Sequence, residues 1–145
     1  MNIQPYLGVW KSAHSVNFIN YMKYIGYSPV ICQIAKITPI TLELSMVSDN
    51  IFQQKVSASY YKHTEMFKID NQFYTYKNYK KQFYIENNNI CCHVISTKNN
   101  AVWDEYYSLG ADGQLRIQFI WNNLNKTYCA IQFYSKQETH SNYGN

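Results

Sequence analysis

Two short helices, placed back to back near the start of the chain, are the feature that most restricts what this sequence can fold into. Ser15 or Asn17 can cap the start of the first helix, and Gly26 ends it where a left-handed residue is needed. Ser28 and Pro29 then begin the second helix as its cap and its first residue. The apolar residues of the first helix recur at the spacing of one helical face: Phe18, Tyr21, Met22 and Ile25.

From Thr38 onward, the sequence predicts strand after strand, separated by turns at spacings of roughly 8–12 residues. Clusters of asparagine, aspartate and glycine mark most of these turns. Lys80-Lys81 is interpreted as a further turn, between strands over 73–79 and 82–86. A closed antiparallel meander leaves no long exposed edge. We therefore predict an all-β fold, a ten-stranded antiparallel up-and-down β-barrel closed by a two-helix lid near the N-terminus.

A single domain is expected, since 145 residues match the usual size of one core. We predict that the barrel spans residues 1–136, and that the polar, glycine-containing segment 137–145 is a disordered tail. No apolar run follows Met1, and no stretch approaches the roughly 20 apolar residues of a membrane span. These features predict a cytoplasmic protein.

The sequence shows no arrangement typical of an enzyme or a metal site. The nine carboxylates are scattered, and Asp104 and Glu105 are strand neighbours that face opposite ways. The four histidines lack metal-ligand spacing, and adjacent Cys91 and Cys92 cannot readily share a metal. We therefore expect no catalysis, no cofactor, no metal and free thiols at all four cysteines.

The stretch 73–84 interleaves aromatic residues with lysines, a pattern that also suits a single-stranded nucleic-acid-binding barrel. A hairpin with tyrosines inside and lysines outside would produce the same pattern. The formal net charge is only +4 and Arg116 is the only arginine, whereas nucleic-acid surfaces usually carry several. Nucleic acid is therefore the less favoured partner.

The N-terminal motifs resemble a known family. The sequence has Gly8-Val9-Trp10, then Asn17-Phe18, Tyr21-Met22 and Ile25-Gly26, then a second short helix. This order resembles the opening of the intracellular lipid-binding proteins, which include the fatty-acid-binding and cellular retinoid-binding proteins. Pro39 falls where that family places a proline before its second strand, and Phe133-Tyr134-Ser135-Lys136 is similar to the family's closing strand.

The resemblance implies a function. It suggests non-enzymatic intracellular binding and transport of a hydrophobic small molecule, such as a long-chain fatty acid, inside the barrel. It also implies a monomer, and transient membrane contact through the helical lid, where Lys23 and Lys36 are on the outer side. A wall that mixes polar and apolar residues suits a ligand with one polar end.

The expected head-group site departs from the fatty-acid-binding pattern. In the family's fatty-acid binders, arginines on a late strand and in a closing Arg-x-Tyr hold the carboxylate. Here Gln132 and Tyr134 occupy the closing positions, and the other arginine position falls near Tyr106 to Ser108, where no basic residue occurs. The residues predicted to contact the head group are Gln132, Tyr134, Lys55, Tyr106 and Ser108. Two hypotheses remain. Lys55 supplies the charge from another wall, or the head group is neutral, such as a retinol-like alcohol bound by Gln132.

The remaining candidate residues belong to the lid, the portal and the wall around the ligand tail. Tyr61 falls where the family often has a gating aromatic residue, and alternation places Ser57 and Ser59 on the same face as Lys55. The set predicted for the tail, lid and portal is Phe18, Tyr21, Met22, Ile25, Ile34, Pro39, Ser57, Ser59, Tyr61 and Phe119.

Overall fold

The chain folds into ten strands and two helices, as a computed structural model of residues 1–138 shows. A short 3-10 helix, Gln4–Tyr6, precedes them. The elements, in chain order, are β1 (Gly8–Val16), α1 (Phe18–Tyr24), α2 (Pro29–Ala35), β2 (Thr41–Ser48), β3 (Ile51–Ala58), β4 (Tyr61–Phe67), β5 (Phe73–Thr75), β6 (Tyr79–Glu86), β7 (Asn89–Ser96), β8 (Val102–Leu109), β9 (Leu115–Asn123) and β10 (Lys126–Lys136).

All ten strands belong to one antiparallel sheet. Each strand pairs with its neighbours in sequence, except that β4 and β5 do not pair with each other, and β1 also pairs with β10, so the sheet order is β4-β3-β2-β1-β10-β9-β8-β7-β6-β5. The sheet curls into a nearly closed barrel with the two helices near its N-terminus. The predicted up-and-down barrel with a two-helix lid is therefore confirmed.

The terminal strands of the sheet are β4 and β5, and side chains join these two ends. The rings of Phe67 and Phe83 stack with their centroids 3.8 Å apart. The Tyr76 hydroxyl donates a hydrogen bond to the carbonyl oxygen of Met66 at 2.6 Å. We call this junction between β4 and the β5–β6 hairpin the seam.

The lid consists of α1 and α2. The predicted cap of α1 is not formed, because Asn17 is left-handed and its side chain makes no capping hydrogen bond. Ser28 caps α2, since its hydroxyl accepts a hydrogen bond from the Ile31 backbone N–H at 3.3 Å, and Pro29 is the first helical residue. Gly26 has a φ of 107°, as the predicted helix end requires. Asn99 holds the lid to the β7–β8 turn by donating to the carbonyl oxygen of Ile25 at 2.9 Å.

Two of the hairpins are short turns in which both central residues have positive φ. These are Asn87-Asn88 between β6 and β7, and Leu124-Asn125 between β9 and β10. Such primed turns match the twist of the strands they connect. The turn predicted at Lys80-Lys81 is wrong, because both lysines lie inside β6 and the chain bends before Tyr79 instead.

The C-terminal end of the described chain remains attached to the barrel. The backbone N–H of Gln137 donates to the Val9 carbonyl oxygen at 2.8 Å. Residues 139–145, most of the predicted disordered tail, lie outside the described residues. Within residues 1–138, no helix is long and apolar enough to cross a membrane. All four cysteines are free thiols, and only Cys129 is exposed.

Candidate functional site

A cavity lies inside the barrel beneath the lid. The cavity volume is about 130 Å³, which is room for about four waters at their volume in the liquid. Its walls are mainly aromatic and aliphatic, and four polar side chains of the wall are Gln54, Lys81, Glu105 and Tyr107. The cavity is therefore mostly apolar with polar groups concentrated among a few residues.

Tyr21 of α1 fills the lid end of the cavity. Its ring stacks on Phe119 at 4.2 Å between centroids and meets the edge of Trp103 at 5.7 Å. Burial, aided by the negative charge of Glu105, raises the pKa of the Tyr21 hydroxyl well above its usual value. Tyr21 is thus a neutral aromatic plug, and a ligand reaching the cavity must pass it or displace it.

Glu105 projects into the cavity from β8 and accepts two hydrogen bonds. Trp103 Nε1–H donates to its Oε2 at 2.9 Å, and the Tyr107 hydroxyl donates to its Oε1 at 3.1 Å. Tyr107 in turn accepts a hydrogen bond from Gln54 Nε2 at 3.0 Å. Each oxygen of the Glu105 carboxyl group therefore acts as a hydrogen-bond acceptor.

Lys81 and Glu65 form a buried ion pair across the seam. Lys81 Nζ donates to Glu65 Oε1 at 2.7 Å, and the side chains are only 11% and 1% exposed. Burial works against the charge of each group, but their mutual attraction outweighs it. The pKa of Lys81 is therefore raised, with Glu105 contributing, and that of Glu65 is lowered, chiefly by the positive charge of Lys81.

The interior consequently holds more negative than positive charge. Glu65 and Glu105 are two carboxylates, and Lys81 is the ammonium that faces them. Glu65 Oε2 has no hydrogen-bond partner among the described residues, although His63 Nε2 lies 3.8 Å away. Two carboxyl groups thus face one ammonium, an arrangement that disfavours a further anion.

The ion pair predicts a pH dependence of stability. The pKa of Glu65 is lower in the folded state than in the unfolded state, so its ionisation stabilises the fold above the unfolded value of about 4.3. This contribution is lost as the pH falls through the folded pKa. We expect the free energy of unfolding, measured with urea between pH 7 and 3, to fall more steeply in the wild type than in a variant combining Glu65→Met and Lys81→Met. Parallel pH profiles would contradict this prediction.

Seven of the predicted site residues come together at the cavity. Tyr61 pairs directly with Ala58 across the β3–β4 hairpin and faces inward beside it. Burial is the main cause that raises the pKa of the Tyr61 hydroxyl to about 12. The predicted residues that line the cavity are Phe18, Tyr21, Met22, Ile25, Tyr61, Phe119 and Tyr134.

The predicted placement of Lys55, Ser57 and Ser59 is wrong. All three are exposed on the outer side of the barrel, and Lys55 Nζ lies 3.9 Å from Glu43, another surface residue. The inner face of β3 instead carries Phe52, Gln54, Val56 and Ala58. Alternation reverses at the two-residue turn after β3, so Tyr61 does not share a face with Lys55. Lys55 therefore lies outside the cavity, and its role as a head-group ligand gains no support from its position.

Four further predictions also need correction. Tyr106 and Ser108 are on the outer face of β8, because Glu105 and Tyr107 take the inward positions of that strand. Ile34 and Pro39 are exposed on the lid and on the connection to β2. Cys32 is the side chain that α2 buries.

Gln132 lies inside the barrel but does not line the cavity. It faces inward on β10 and is buried, and its Oε1 has no hydrogen-bond partner among the described residues. The residues that line the cavity do not include it. Its role in head-group binding therefore remains a prediction.

Sequence reasoning missed the polar side of the cavity: Gln54, Lys81, Trp103, Glu105 and Tyr107. For β8 a signal existed, since Trp103, Glu105 and Tyr107 alternate with exposed or half-buried residues. For Lys81 the signal was Tyr79, Lys81 and Phe83 at alternate positions of one strand.

Solved structures with this architecture cover nearly the whole chain. Lipid binding protein 8 of Caenorhabditis elegans superimposes with a TM-score of 0.81 at 20% identity, covering 94% of this chain and 99% of that one. A Schistosoma mansoni fatty acid binding protein in complex with arachidonic acid gives 0.80 at 16% identity, covering 95% and 100%. The chain has the fold of the intracellular lipid-binding proteins. Human cRBP IV also shares this lipid-binding fold, with a TM-score of 0.72 at 18% identity over 90% and 97% of the two chains.

Sequence comparison adds no further match. Neither protein-family models nor curated protein sequences match the chain. The likeness therefore concerns the fold, and the function has to be argued from the cavity itself.

Proposed function

We propose that this protein reversibly binds a small, mostly apolar molecule with one polar end inside its barrel. The observation that carries the proposal is the cavity beneath the lid, with aromatic and aliphatic walls and the polar residues around Glu105. Burial of the ligand's apolar part supplies the affinity, at roughly 25 cal/mol per Å² before the costs of association. The residues suited to orient the polar end are Glu105, Tyr107 and Gln54, which already form one hydrogen-bonded chain.

The charge of the interior favours a hydrogen-bond-donating head group over a free carboxylate. A fatty-acid carboxylate would approach Glu105 and would compete with Glu65 for the only ammonium of the cluster, Lys81. Like charges in a poorly solvated site repel strongly. Of the two head-group hypotheses, the neutral one is therefore better supported than the long-chain fatty acid held by Lys55.

Transport, membrane contact and a cytoplasmic location complete the proposal. Val30, Ile34 and Ile37 are exposed apolar residues on and just after α2, close in sequence to Lys36. Such a surface suits transient contact with an anionic membrane during ligand transfer. The non-enzymatic role is supported by neighbours whose names describe binding and transport of fatty acids.

The nucleic-acid alternative has less support from the structure. Its basis was a run of aromatic residues and lysines over 73–84. Tyr79 and Lys81 in this run face the cavity, so the run does not form one continuous outer surface. A stacking platform for bases needs aromatic faces and cations on the same accessible side.

A larger side chain inside the cavity should weaken the binding of an apolar ligand. We expect a neutral fluorescent probe, N-phenyl-1-naphthylamine, to bind the wild type, and Val56→Phe to weaken its binding at least about tenfold, or about 1.4 kcal/mol, because Val56 lines the cavity. Ser57→Phe is the matched control, since Ser57 is the next residue on the same strand but is exposed. Titration by fluorescence measures both, and circular dichroism checks the fold.

Either of two results would overturn the proposal. One is a wild-type protein that binds neither the probe nor any lipid detected by native mass spectrometry. The other is a folded Val56→Phe variant that binds the probe as tightly as Ser57→Phe does.

A further inference from the structure

The polar end of the cavity holds a carboxyl group, that of Glu105, which forms no salt bridge with any residue in the range 1–138 that the structure describes. Glu105 lines the cavity and its hydrogen bonds come from the neutral donors Trp103 and Tyr107. The nearby ammonium, Lys81, is bonded to Glu65 at 2.7 Å. Burying an ionised carboxylate without a cation is costly. Among the described residues, no cation is therefore bonded directly to the Glu105 carboxyl group.

The walls around this carboxylate are aromatic. Tyr21 and Tyr79 both meet the edge of Trp103, at 5.7 and 5.8 Å between ring centroids, and all three line the cavity with Glu105. The negative faces of such rings attract cations, most strongly where water is excluded. Burial raises the pKa of the Tyr21 and Tyr79 hydroxyls, with Glu105 contributing, so these rings stay neutral.

A second buried carboxylate, Glu65, lies beside Lys81 and opposite His63, although it is not among the residues that line the cavity. Glu65 has one oxygen bonded to Lys81, while its Oε2 lacks a hydrogen-bond partner among the described residues although the side chain is only 1% exposed. Lys81 thus serves two carboxylates. A ligand cation placed near Glu105 would bring the charge of Glu65, Lys81, Glu105 and the ligand to zero.

We propose that the ligand's head group is a protonated amine on an apolar chain or ring system, held by the Glu105 carboxylate and the rings of Tyr21, Tyr79 and Trp103. This inference rests on the proposed binding function and specifies the ligand class of the same cavity. The ammonium would donate hydrogen bonds to Glu105 while the apolar part occupies the aliphatic wall. An alcohol would make the same hydrogen bond without balancing the charge, and a carboxylate would add to the negative excess.

Three ligands with the same tail test the head group. Decylamine, decanol and decanoate are each used below their aggregation limits to displace N-phenyl-1-naphthylamine from the wild type at pH 8, where ordinary imidazoles are neutral and alkylamines remain protonated. We expect decylamine to bind about tenfold more tightly than decanol, or by about 1.4 kcal/mol, since hydrogen bonds to charged groups are stronger than neutral ones. Decanoate should bind most weakly.

Glu105→Gln tests the residue assigned to the amine. The variant should lose most of the preference for decylamine over decanol, while its affinity for decanol changes less than about threefold. Glu43→Gln is the matched control, because Glu43 is a half-exposed carboxylate on the outside of β2. If Glu105→Gln does not fold, the wild-type ligand series still decides the question.

The outcomes separate this inference from the proposed function. Decanol or decanoate binding as tightly as decylamine would overturn the amine assignment and leave the binding function intact. Displacement by none of the three ligands, with no probe binding, would overturn both. An unchanged amine preference in folded Glu105→Gln would also overturn the assignment.

Discussion

Replacing Lys81 with methionine should lower the free energy of unfolding by about 3–5 kcal/mol. The substitution removes the ammonium from a buried ion pair and leaves the Glu65 carboxylate, only 1% exposed, without its cation. The aliphatic stem of lysine is replaced by a side chain of similar length, so most of the loss comes from charge. Urea unfolding at pH 7, followed by tryptophan fluorescence, measures the effect.

A double substitution separates charge from packing. Combining Glu65→Met with Lys81→Met removes both charges, and we expect its stability to return to within about 1 kcal/mol of the wild type, because apolar replacements of buried ion pairs are often neutral. Lys55→Met is the surface control. Lys55 is 49% exposed and 3.9 Å from Glu43, so the change should cost no more than about 1 kcal/mol. A Lys81→Met variant as stable as Lys55→Met would refute the prediction.

Truncating Trp10 should be comparably destabilising. Trp10 on β1 is 1% exposed, and its indole N–H donates to the Tyr6 carbonyl oxygen at 3.0 Å. Trp10→Ala removes the largest fully buried side chain of the core and opens a cavity, which typically costs about 3–5 kcal/mol. Thermal and urea unfolding measure the loss, and Trp103 and Trp121 remain as fluorescent reporters.

Two further variants provide a comparison for the loss of stability in Trp10→Ala. Trp10→Phe keeps most of the buried ring area and should cost less than Trp10→Ala. Phe73→Ala, on the half-exposed edge strand β5, should change stability by less than about 1 kcal/mol. Equal losses for Trp10→Ala and Phe73→Ala would show that the core is not centred where Trp10 lies.

Most of the fold could be predicted because local signals specify it. The apolar spacing of α1, the Ser28-Pro29 start of α2 and the positive φ at Gly26 each act within one or two turns of chain. Strand number followed from turn residues such as Asn87 and Asn88, which tolerate positive φ. These signals need no knowledge of distant contacts.

The polar part of the site could not be predicted in the same way. Alternation was extended through the two-residue turn between β3 and β4, which assigned Lys55 to the wrong face. Two consecutive lysines resembled a turn, so Lys81 was not placed in a strand. Its partner Glu65 is on β4, and the two meet only because the ends of the sheet come together. The Lys81 ammonium is therefore buried by its tertiary contact with Glu65, which local sequence patterns do not reveal.

The seam differs from the rest of the barrel wall in the groups that join its strands. Elsewhere neighbouring strands are joined by backbone ladders, but β4 and the β5–β6 hairpin are joined by side chains such as Phe67 with Phe83 and Glu65 with Lys81. Lys81 also lines the cavity. A ligand in the cavity would therefore meet the same ammonium that joins β4 to β6 across the seam.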